Sequence, residues 1–274
     1  MPRLLAYKRT QLLAQAQQEL IAQPQTRLVG YGKNIYPISL IKYGKLYIWS
    51  DLNFTKEFIE GMNVPGDADW TTLTNYINSN YNGSPNNFGT GNHLKHPRKN
   101  GTPILDSLCN TSTHPRWNAN PTHYGRDTVN FSTLPGGYLF DSAFGNIGSE
   151  GYWWSATEKD IDDSWGVSMF ANSGDTLRSS YDKSFGFSIR CVRAATEGEQ
   201  LLDDGELIKR VQDYNENWYD CIKIGTQVWT RQNIAAMNYS DGTSATSYNY
   251  ANDDSNAFFA NEAVSIWEHW VNKV

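Results

Sequence analysis

The side chains through which this chain could do chemistry are few, and most of them stand alone. His93 and His96 lie three residues apart, a spacing that would pair two metal ligands on a helix. Glycine, asparagine and proline surround them, however, and predict a loop. Cys109, Cys191 and Cys221 form an odd set without short spacings, which predicts buried free thiols rather than a disulfide framework or a zinc site.

Carboxylates and glycine loops give no firmer sign of a reaction. The run Asp160–Asp163 reads Asp-Ile-Asp-Asp and could bind calcium, but it lacks an ordered set of oxygen ligands. No serine occupies a nucleophile elbow, and no glycine-rich loop has the phosphate-binding spacing. We therefore predict a protein that is not an enzyme and uses no cofactor, with calcium kept as an alternative.

The composition limits the kinds of partner. The net charge is −6 and no basic patch offsets it, which argues against nucleic acid. Aromatic residues make up 14% of the chain and all hydrophobic residues 39%, so Trp, Tyr and Phe must build much of the core. No stretch is long and apolar enough to span a membrane, and residues 1–25 lack the features of a secretory signal. We expect a chain made in a cytoplasm that does not use the general secretory route.

Hydrophobic spacing places two helices and one long irregular region. Residues 4–22 predict an amphipathic helix, ended by Pro24, whose apolar stripe must dock on the chain's own body, on a sister chain or on a larger particle. Between about residues 80 and 130 the chain is rich in Asn, Gly, Pro and Thr, which predicts irregular structure. A short helix before that region is capped by Asp67 or Asp69, and its buried face is formed by Trp70, Leu73, Tyr76 and Ile77.

Two segments of the chain echo each other. Residues 41–53 read IKYGKLYIWSDLN and residues 222–233 read IKIGTQVWTRQN, each with Ile-Lys-x-Gly followed by Trp and then by Asn four residues later. Both predict a strand, a tight turn at the glycine and a second strand. A duplicated module start explains the echo, and chance similarity of short aromatic strands is the alternative.

Residues 134–193 set paired tryptophans and alternating strands between glycine-rich turns. At least one of Trp153 and Trp154 should lie in the core, because neighbouring strand residues face opposite sides, and the other is then free to be exposed. The Ser, Asn, Asp, Tyr and Arg residues between the strands resemble adaptable binding surfaces, with a solvated hairpin edge as the alternative. We predict that the binding face consists of Trp154, Thr157, Lys159, Asp160, Asp163, Trp165, Ser168, Phe170, Asn172, Thr176, Arg178, Ser180 and Tyr181.

The same stretch carries a resemblance to a known family. VPGDADWTTL, LPGGY, FGNIGSEGYWWSATE and SFGFSIRCVR, in this order, resemble the major paralogous domain first described in Fibrobacter and common in Bacteroidetes. IKIGTQVWTRQN followed by YSDGT resembles the opening of that domain. The family is similar to C-type lectin-like folds, which also occur in formylglycine-generating enzymes and in variable proteins diversified by retroelements.

The resemblance implies an α+β fold, a C-type lectin-like domain with irregular loops, an N-terminal amphipathic helix and a partial second copy. We expect an attachment segment over residues 1–34, the lectin-like domain over 35–195, and a linker with a truncated second segment over 196–274. The cysteine pair that the related formylglycine-generating enzymes use has no counterpart here, so that activity is not expected.

Together these features favour a non-enzymatic binding or adhesion module. The expected setting is a bacteriophage virion, as a tail or fibre protein, with a host surface glycan or protein as target and the N-terminal helix contacting other virion proteins or sister chains in a homo-oligomer. A bacterial surface adhesin is one alternative. A capsid or tail decoration protein, whose lectin-like domain mediates assembly alone, is another.

Overall fold

Antiparallel β-strands dominate the part of the chain that the structure describes. The structure is a computed structural model that describes residues 11, 28–31, 34–37, 43–82, 88–97 and 115–248, with backbone alone for 28–31 and 34–37. The strands are β1 (Leu28–Tyr31), β2 (Asn34–Pro37), β3 (Tyr47–Ile48), β4 (Tyr138–Phe140), β5 (Ala143–Gly145), β6 (Glu150–Glu158), β7 (Asp163–Phe170), β8 (Thr176–Asp182), β9 (Gly186–Phe187), β10 (Val192–Ala194), β11 (Leu207–Gln212), β12 (Trp218–Ile224) and β13 (Gln227–Thr230). The α-helices are α1 (Asp67–Tyr81) and α2 (Thr90–Leu94).

The strands form four small sheets. β1 pairs with β2, β6-β7-β8 form a three-stranded meander, and the two four-stranded sheets have the orders β3-β9-β4-β5 and β10-β13-β12-β11. Every pairing between these strands is antiparallel. Sheets of this kind join strands that are distant in sequence, such as β3 with β9, so the fold depends on long-range contacts.

The predicted α+β, C-type lectin-like fold is wrong. The described residues are mostly β, with α1 and α2 as their α-helices. The physical reason is that residues 150–182 alternate between the two faces of a strand, a pattern that builds β6, β7 and β8, whereas among the described residues a long run of apolar residues at helical spacing occurs in α1. The helix predicted over residues 4–22 lies outside the described residues except for Gln11.

Helix α1 has the buried face that its sequence predicts. Trp70, Leu73 and Ile77 are buried, and Tyr76 is half-buried. Its cap differs from the prediction, since Gly66 is the N-cap residue. Asp69, at the third helical position, accepts a hydrogen bond from the backbone N–H of Gly66 at 2.8 Å, which satisfies one of the free donors at the helix start.

The two echoing segments each contain a strand after the glycine. In residues 222–233 the predicted hairpin forms, because β12 and β13 pair around Gly225, whose φ is +57°. In residues 41–53 the second of the two predicted strands forms after Gly44, as β3, and Trp49 then begins a short 3-10 turn. The strand predicted before Gly44 falls on residues of which 41 and 42 lie outside the described part of the chain.

Two hydrophobic clusters fill the interior. The Phe187 cluster consists of Tyr47, Phe58, Ile59, Met62, Val64, Trp154, Phe187, Ile189, Cys191, Ala195, Tyr219, Cys221, Val228, Ile234, Ala236, Tyr239 and Ala245. The Trp70 cluster consists of Trp70, Leu73, Ile77, Leu94, Trp117, Val129, Phe131, Trp153, Val167, Met169, Val192, Ile222, Ile224 and Trp229. Strand β6 lies between them, since Trp153 belongs to the Trp70 cluster and Trp154 to the Phe187 cluster.

Arg190 and Asn233 form a buried polar centre between these clusters. The Arg190 guanidinium donates to Asn233 Oδ1 at 2.8 Å and to the carbonyl oxygens of Phe131 and Thr230 at 2.8 and 2.9 Å. Trp153 Nε1 also donates to Asn233 Oδ1, at 2.9 Å. Burial lowers the pKa of Arg190 to about 9. Because a buried cation without partners is very costly, these acceptors are what allow Arg190 to lie in the core.

Candidate binding surface

The outer end of the β6-β7-β8 sheet presents a stacked arginine and tryptophan. Trp165 on β7 lies opposite Ser180 on β8, and Arg178 lies opposite Val167, so Trp165 and Arg178 are diagonal neighbours on one face. The Arg178 guanidinium carbon is 3.4 Å from the centre of the Trp165 ring. This cation–π stack fixes both side chains in one arrangement at the surface.

Asp67 holds Arg178 from the first turn of α1. Its Oδ1 and Oδ2 accept from Arg178 Nε at 2.5 Å and from Nη2 at 2.8 Å, a bidentate pair. Hydrogen bonding to Asp67 raises the pKa of Arg178 further, against a smaller opposing effect of desolvation. The backbone N–H of Asp67 donates to Thr157 Oγ1 at 3.0 Å, so the end of β6 is tied to the same corner.

A network of charges surrounds the β6–β7 turn beside this stack. Lys159 Nζ donates to Asp163 Oδ2 and to Ser180 Oγ, both at 3.1 Å, and lies 3.3 Å from Asp160 Oδ2. Hydrogen bonds to Asp163 and Asp160 raise the pKa of Lys159. Asp160 Oδ1 accepts from the backbone N–H groups of Asp162 and Asp163, and these bonds lower the pKa of Asp160. In the Asp160–Asp163 turn, the Asp160 carboxylate therefore stabilises the backbone of the turn itself.

Ile161 forms the tip of that turn and is 87% exposed. Sequence reasoning missed Ile161 because it looked for polar groups in the turn. It also missed Asp67, which was interpreted as a helix cap. The only available signal was the position of Asp67 at a predicted helix start, where a carboxylate can bond outward as well as cap. We define the Arg178 surface as Asp67, Thr157, Lys159, Asp160, Ile161, Asp163, Trp165, Arg178 and Ser180.

The structure places the remaining predicted site residues elsewhere. Trp154 is fully buried, donates from Nε1 to Tyr47 O at 2.8 Å, and lies 4.3 Å from the Phe187 ring. Trp153 is fully buried too, so the prediction that at least one of the pair lies in the core is confirmed, and the placement of Trp154 on the binding face is wrong. Strand alternation does send the two rings to opposite faces, but both faces of β6 are covered by the core.

Four more of the predicted site residues lie away from the Arg178 surface. Ser168 is buried on the opposite face of the sheet and accepts from Tyr181 Oη at 3.0 Å. Phe170 is half-buried, and its ring centroid lies 6.1 Å from that of Tyr152, on the same opposite face. Asn172 is exposed in the turn between β7 and β8. These positions are separated from the Arg178 surface by the thickness or the length of the sheet.

Thr176 shares the face of Arg178 but lies at the start of β8, next to a turn that Lys95 holds. The buried Lys95 Nζ donates to the carbonyl oxygens of His123, Phe170 and Ser173 at 2.9, 2.9 and 2.6 Å. Burial lowers the pKa of Lys95 to about 7, against the opposing charge of Asp175. This amine fixes the far end of the sheet, so both ends of β7 are held rigidly.

A shallow cleft of about 480 Å³ opens beside the β4–β5 hairpin. Its lining includes Phe140, which is 44% exposed and stacks on Phe185 at 4.3 Å. The hairpin turn places Asp141 and Ser142 at φ values of +46° and +62°, a left-handed conformation that costs side chains other than glycine some strain. The cleft lies on a different sheet from the Arg178 surface and contains none of the predicted site residues.

Metal and thiol chemistry find little support in the described residues. Within them, no group of three or more His, Cys, Asp or Glu side chains is placed to hold a metal ion. The loop predicted at His93 is wrong, because His93 lies in α2 with Nδ1 2.8 Å from Thr128 Oγ1. Cys191 and Cys221 are buried free thiols, as predicted, and burial raises the pKa of Cys221 to about 12. Cys109 lies outside the described residues.

Among the helices that the structure describes, none has the length and apolar character to cross a bilayer.

Comparison with known proteins identifies the sequence motifs and gives no information on the Arg178 surface. Neither the curated proteins nor the solved structures contain a match to the chain. A family model described as the Fibrobacter succinogenes major domain matches residues 16–193, more than half of the chain. The match includes all four ordered motif blocks from VPGDADWTTL to SFGFSIRCVR and ends inside β10. The chain therefore belongs to the Fibrobacter succinogenes major domain family.

Proposed function

We propose that this protein is a non-enzymatic binding module that recognises a protein on another surface through the Arg178 surface. The observation that carries the proposal is the bidentate Asp67–Arg178 pair stacked on Trp165, which holds an outward face in one conformation. A face that is ordered before contact loses little side-chain entropy when it binds.

The composition of the Arg178 surface fits a protein partner. Lys159, Asp160 and Arg178 keep exposed fractions of 38%, 48% and 44%, so charges of both signs reach the solvent. Ile161 adds an exposed apolar tip between carboxylates. An apolar anchor with a charged surround is the arrangement that protein interfaces use, with the anchor supplying affinity and the charges supplying selectivity.

A glycan is the second candidate ligand, favoured by the aromatic ring of Trp165. Sugar rings stack on open aromatic faces, and one face of Trp165 is already covered by Arg178. The carboxylates and Ser180 remain able to bond hydroxyl groups. The geometry therefore favours protein over glycan at this surface, and the experiment below separates them.

We further propose that the module is displayed on a bacteriophage virion and meets the host cell surface. The support is the polar and aromatic display described above, which suits contact with a foreign surface. Display on a bacterial cell is the alternative setting. In a purely structural role, as a decoration protein, the Arg178 surface would be covered by neighbouring chains in the assembled particle.

The test measures binding of the labelled chain to host cells whose surface has been treated with protease or with periodate. Replacing Ile161 and Lys159 by alanine removes the apolar tip and one charge without touching the core, and we expect at least a tenfold loss of binding, about 1.4 kcal/mol. Leu177→Ala is the matched control, because Leu177 is 47% exposed on the opposite face of the same sheet. Its binding should equal that of the wild type.

The surface treatments distinguish the ligands. Protease treatment of the cells should abolish binding, and periodate, which oxidises sugars, should leave it intact. Binding that survives protease and is lost with periodate would assign a glycan instead. Equal binding by the double variant and the wild type would remove the Arg178 surface from consideration, and inaccessibility of Lys159 to amine labelling in intact particles would favour the decoration role.

A further inference from the structure

The C-terminal part of the described chain completes a core that begins far upstream. Ile222, Ile224 and Trp229 belong to the Trp70 cluster, and Tyr219 and Val228 belong to the Phe187 cluster. Trp229 packs against Trp70 with ring centroids 4.9 Å apart. Both clusters therefore contain side chains from either side of residue 195, although the family match ends at residue 193.

Residues after 206 also complete the backbone hydrogen bonding of the upstream part. β13 lies between β10 and β12, and Val192 on β10 pairs with Trp229 on β13. Beyond β13, Asn233 Oδ1 accepts from Trp153 and Arg190, and Asn233 Nδ2 donates to Tyr43 O at 2.8 Å. Without residues 207–248, the edge of β10 that pairs with β13 would be unpaired and Arg190 would lose the acceptors on Thr230 and Asn233, so the upstream part has a site that this segment completes.

A single covalent connection joins this segment to the upstream part. Residues 195–206 form it, and Thr196 and Glu197 within it are exposed. Two groups of contacts hold it closed. Arg193 donates from Nη1 and Nη2 to Glu199 at 2.8 and 2.6 Å, and Asp204 accepts from Tyr76 and Tyr81 on α1. The connection has 12 residues, and a fully extended chain of that length spans about 40 Å. Once opened, it is long enough for the segment to reach a neighbouring molecule.

We propose that residues 207–248, here called the closing segment, are exchangeable between molecules, so that the closing segment of one copy can fill the site in a second copy. The site and the segment are present in every copy, and the same contacts form whether the segment comes from its own chain or from another. Exchange of an identical element costs little beyond opening the connection and is a common route to dimers. The partner that this site fits is therefore a second copy of this chain.

The test refolds two full-length variants together. Trp229→Arg damages the closing segment, and Trp70→Arg damages the site that receives it, so neither variant should fold alone. Mixed at equal concentrations, they should give a dimer that contains one intact combination, seen as recovered tryptophan burial and a dimer mass by light scattering. The yield should rise with concentration.

A same-side pair is the matched control. Ile222→Arg mixed with Trp229→Arg offers two damaged closing segments and should give no folded species. Failure of the opposite-side pair at every concentration would overturn the proposal, as would equal recovery from the same-side pair.

A second measurement avoids the dependence on damaged variants. A protease site inserted between Glu197 and Gly198 allows the folded wild-type chain to be cut at the exposed connection. The two pieces should stay together and exchange with an excess of isotope-labelled cut protein, as followed by native mass spectrometry. Pieces that separate without rejoining, or that stay together without exchanging, would contradict exchangeability.

Discussion

Lys95 shows how one side chain can set the pH response of this fold. Its amine is buried and donates to three carbonyl oxygens, and burial lowers its pKa to about 7. In the unfolded chain a lysine amine has a pKa of about 10.4. Between these two values the unfolded state keeps a proton that the folded state has released, so Lys95 adds to the free energy of unfolding as the pH rises.

The corresponding prediction compares the wild type with Lys95→Met. From pH 7 to pH 10 the free energy of unfolding of the wild type should rise relative to that of the variant, by up to about 1.4 kcal/mol per pH unit. Below pH 7 the difference should be constant, because both states hold the proton. Urea unfolding at a series of pH values measures this, and parallel curves across the whole range would show that Lys95 keeps its ordinary pKa.

At the same scale, residue types predicted some outcomes and missed others. The free, buried state of Cys191 and Cys221 followed from their spacing and chemistry. The burial of both Trp153 and Trp154 did not follow, because alternation tells which face a residue takes but not whether that face is covered. Whether both faces of β6 are covered depends on β3, β9 and α1, which contact β6 only in the folded chain.

Between elements, Asp204 joins α1 to the β12–β13 hairpin. It accepts from Tyr76 Oη at 2.9 Å and Tyr81 Oη at 2.5 Å on the helix, and from Lys223 Nζ at 2.8 Å and Gly225 N at 2.9 Å on the hairpin. Burial acts to raise the pKa of Asp204, but the hydrogen bonds from Lys223 and Tyr81 outweigh it, and the pKa is lowered. A lowered carboxylate pKa stabilises the fold above about pH 4 and ceases to do so as the pH falls further.

Asp204→Asn should therefore weaken the joint in a pH-dependent way. We expect a loss of about 2 kcal/mol in the free energy of unfolding at pH 7, the usual value for hydrogen bonds to a charged group. The difference from the wild type should shrink as the pH falls from 5 to 3. Asp203→Asn, at the exposed neighbouring position, serves as the control. A loss that does not change with pH would assign the effect to shape rather than to charge.

Some secondary-structure elements could be predicted from the sequence and others could not. Helix α1 was predictable because Trp70, Leu73 and Ile77 repeat at helical spacing, and the β12–β13 hairpin because Gly225 punctuates two apolar runs. The sheet assembly was not, since β3 pairs with β9 across more than 130 residues, as in the pairing of Tyr47 with Phe187. Local patterns contain no information about such partners, and the fold class inferred from family resemblance was wrong.

Across the whole molecule, the two clusters and the Arg190–Asn233 centre join distant parts of the described chain. Each cluster contains residues from before residue 80 and from after residue 215, and Asn233 bonds to Tyr43, Trp153 and Arg190. Opening one part of such an interior exposes the rest. We therefore expect the two clusters to unfold together.

Urea unfolding should accordingly show a single transition, with tryptophan fluorescence and far-UV circular dichroism giving the same midpoint. Asn233→Ala leaves buried donors unpaired and should lower the free energy of unfolding by at least about 2 kcal/mol. Both probes should shift together in this variant. Midpoints that separate, in either protein, would mean that the two clusters unfold independently.

The candidate site could be predicted only in part, because some of its residues are close in sequence and Asp67 is not. Thr157, Lys159, Asp160, Asp163, Trp165, Arg178 and Ser180 meet because a meander brings successive turns and strand ends together, which its sequence suggests. Asp67 comes from a helix some 90 residues upstream of Thr157, with which it bonds, and only the packing of α1 on the sheet brings it there.

Lys95 and Arg190 both donate hydrogen bonds to main-chain carbonyl oxygens. Lys95 bonds those of His123, Phe170 and Ser173, and Arg190 bonds those of Phe131 and Thr230. Every amino acid offers the same carbonyl group. At His123, Phe170 and Ser173, which are half-buried, the side chain can therefore change during evolution while the bond to Lys95 persists. Phe131 and Thr230 are buried, so the core still constrains their side chains although Arg190 does not.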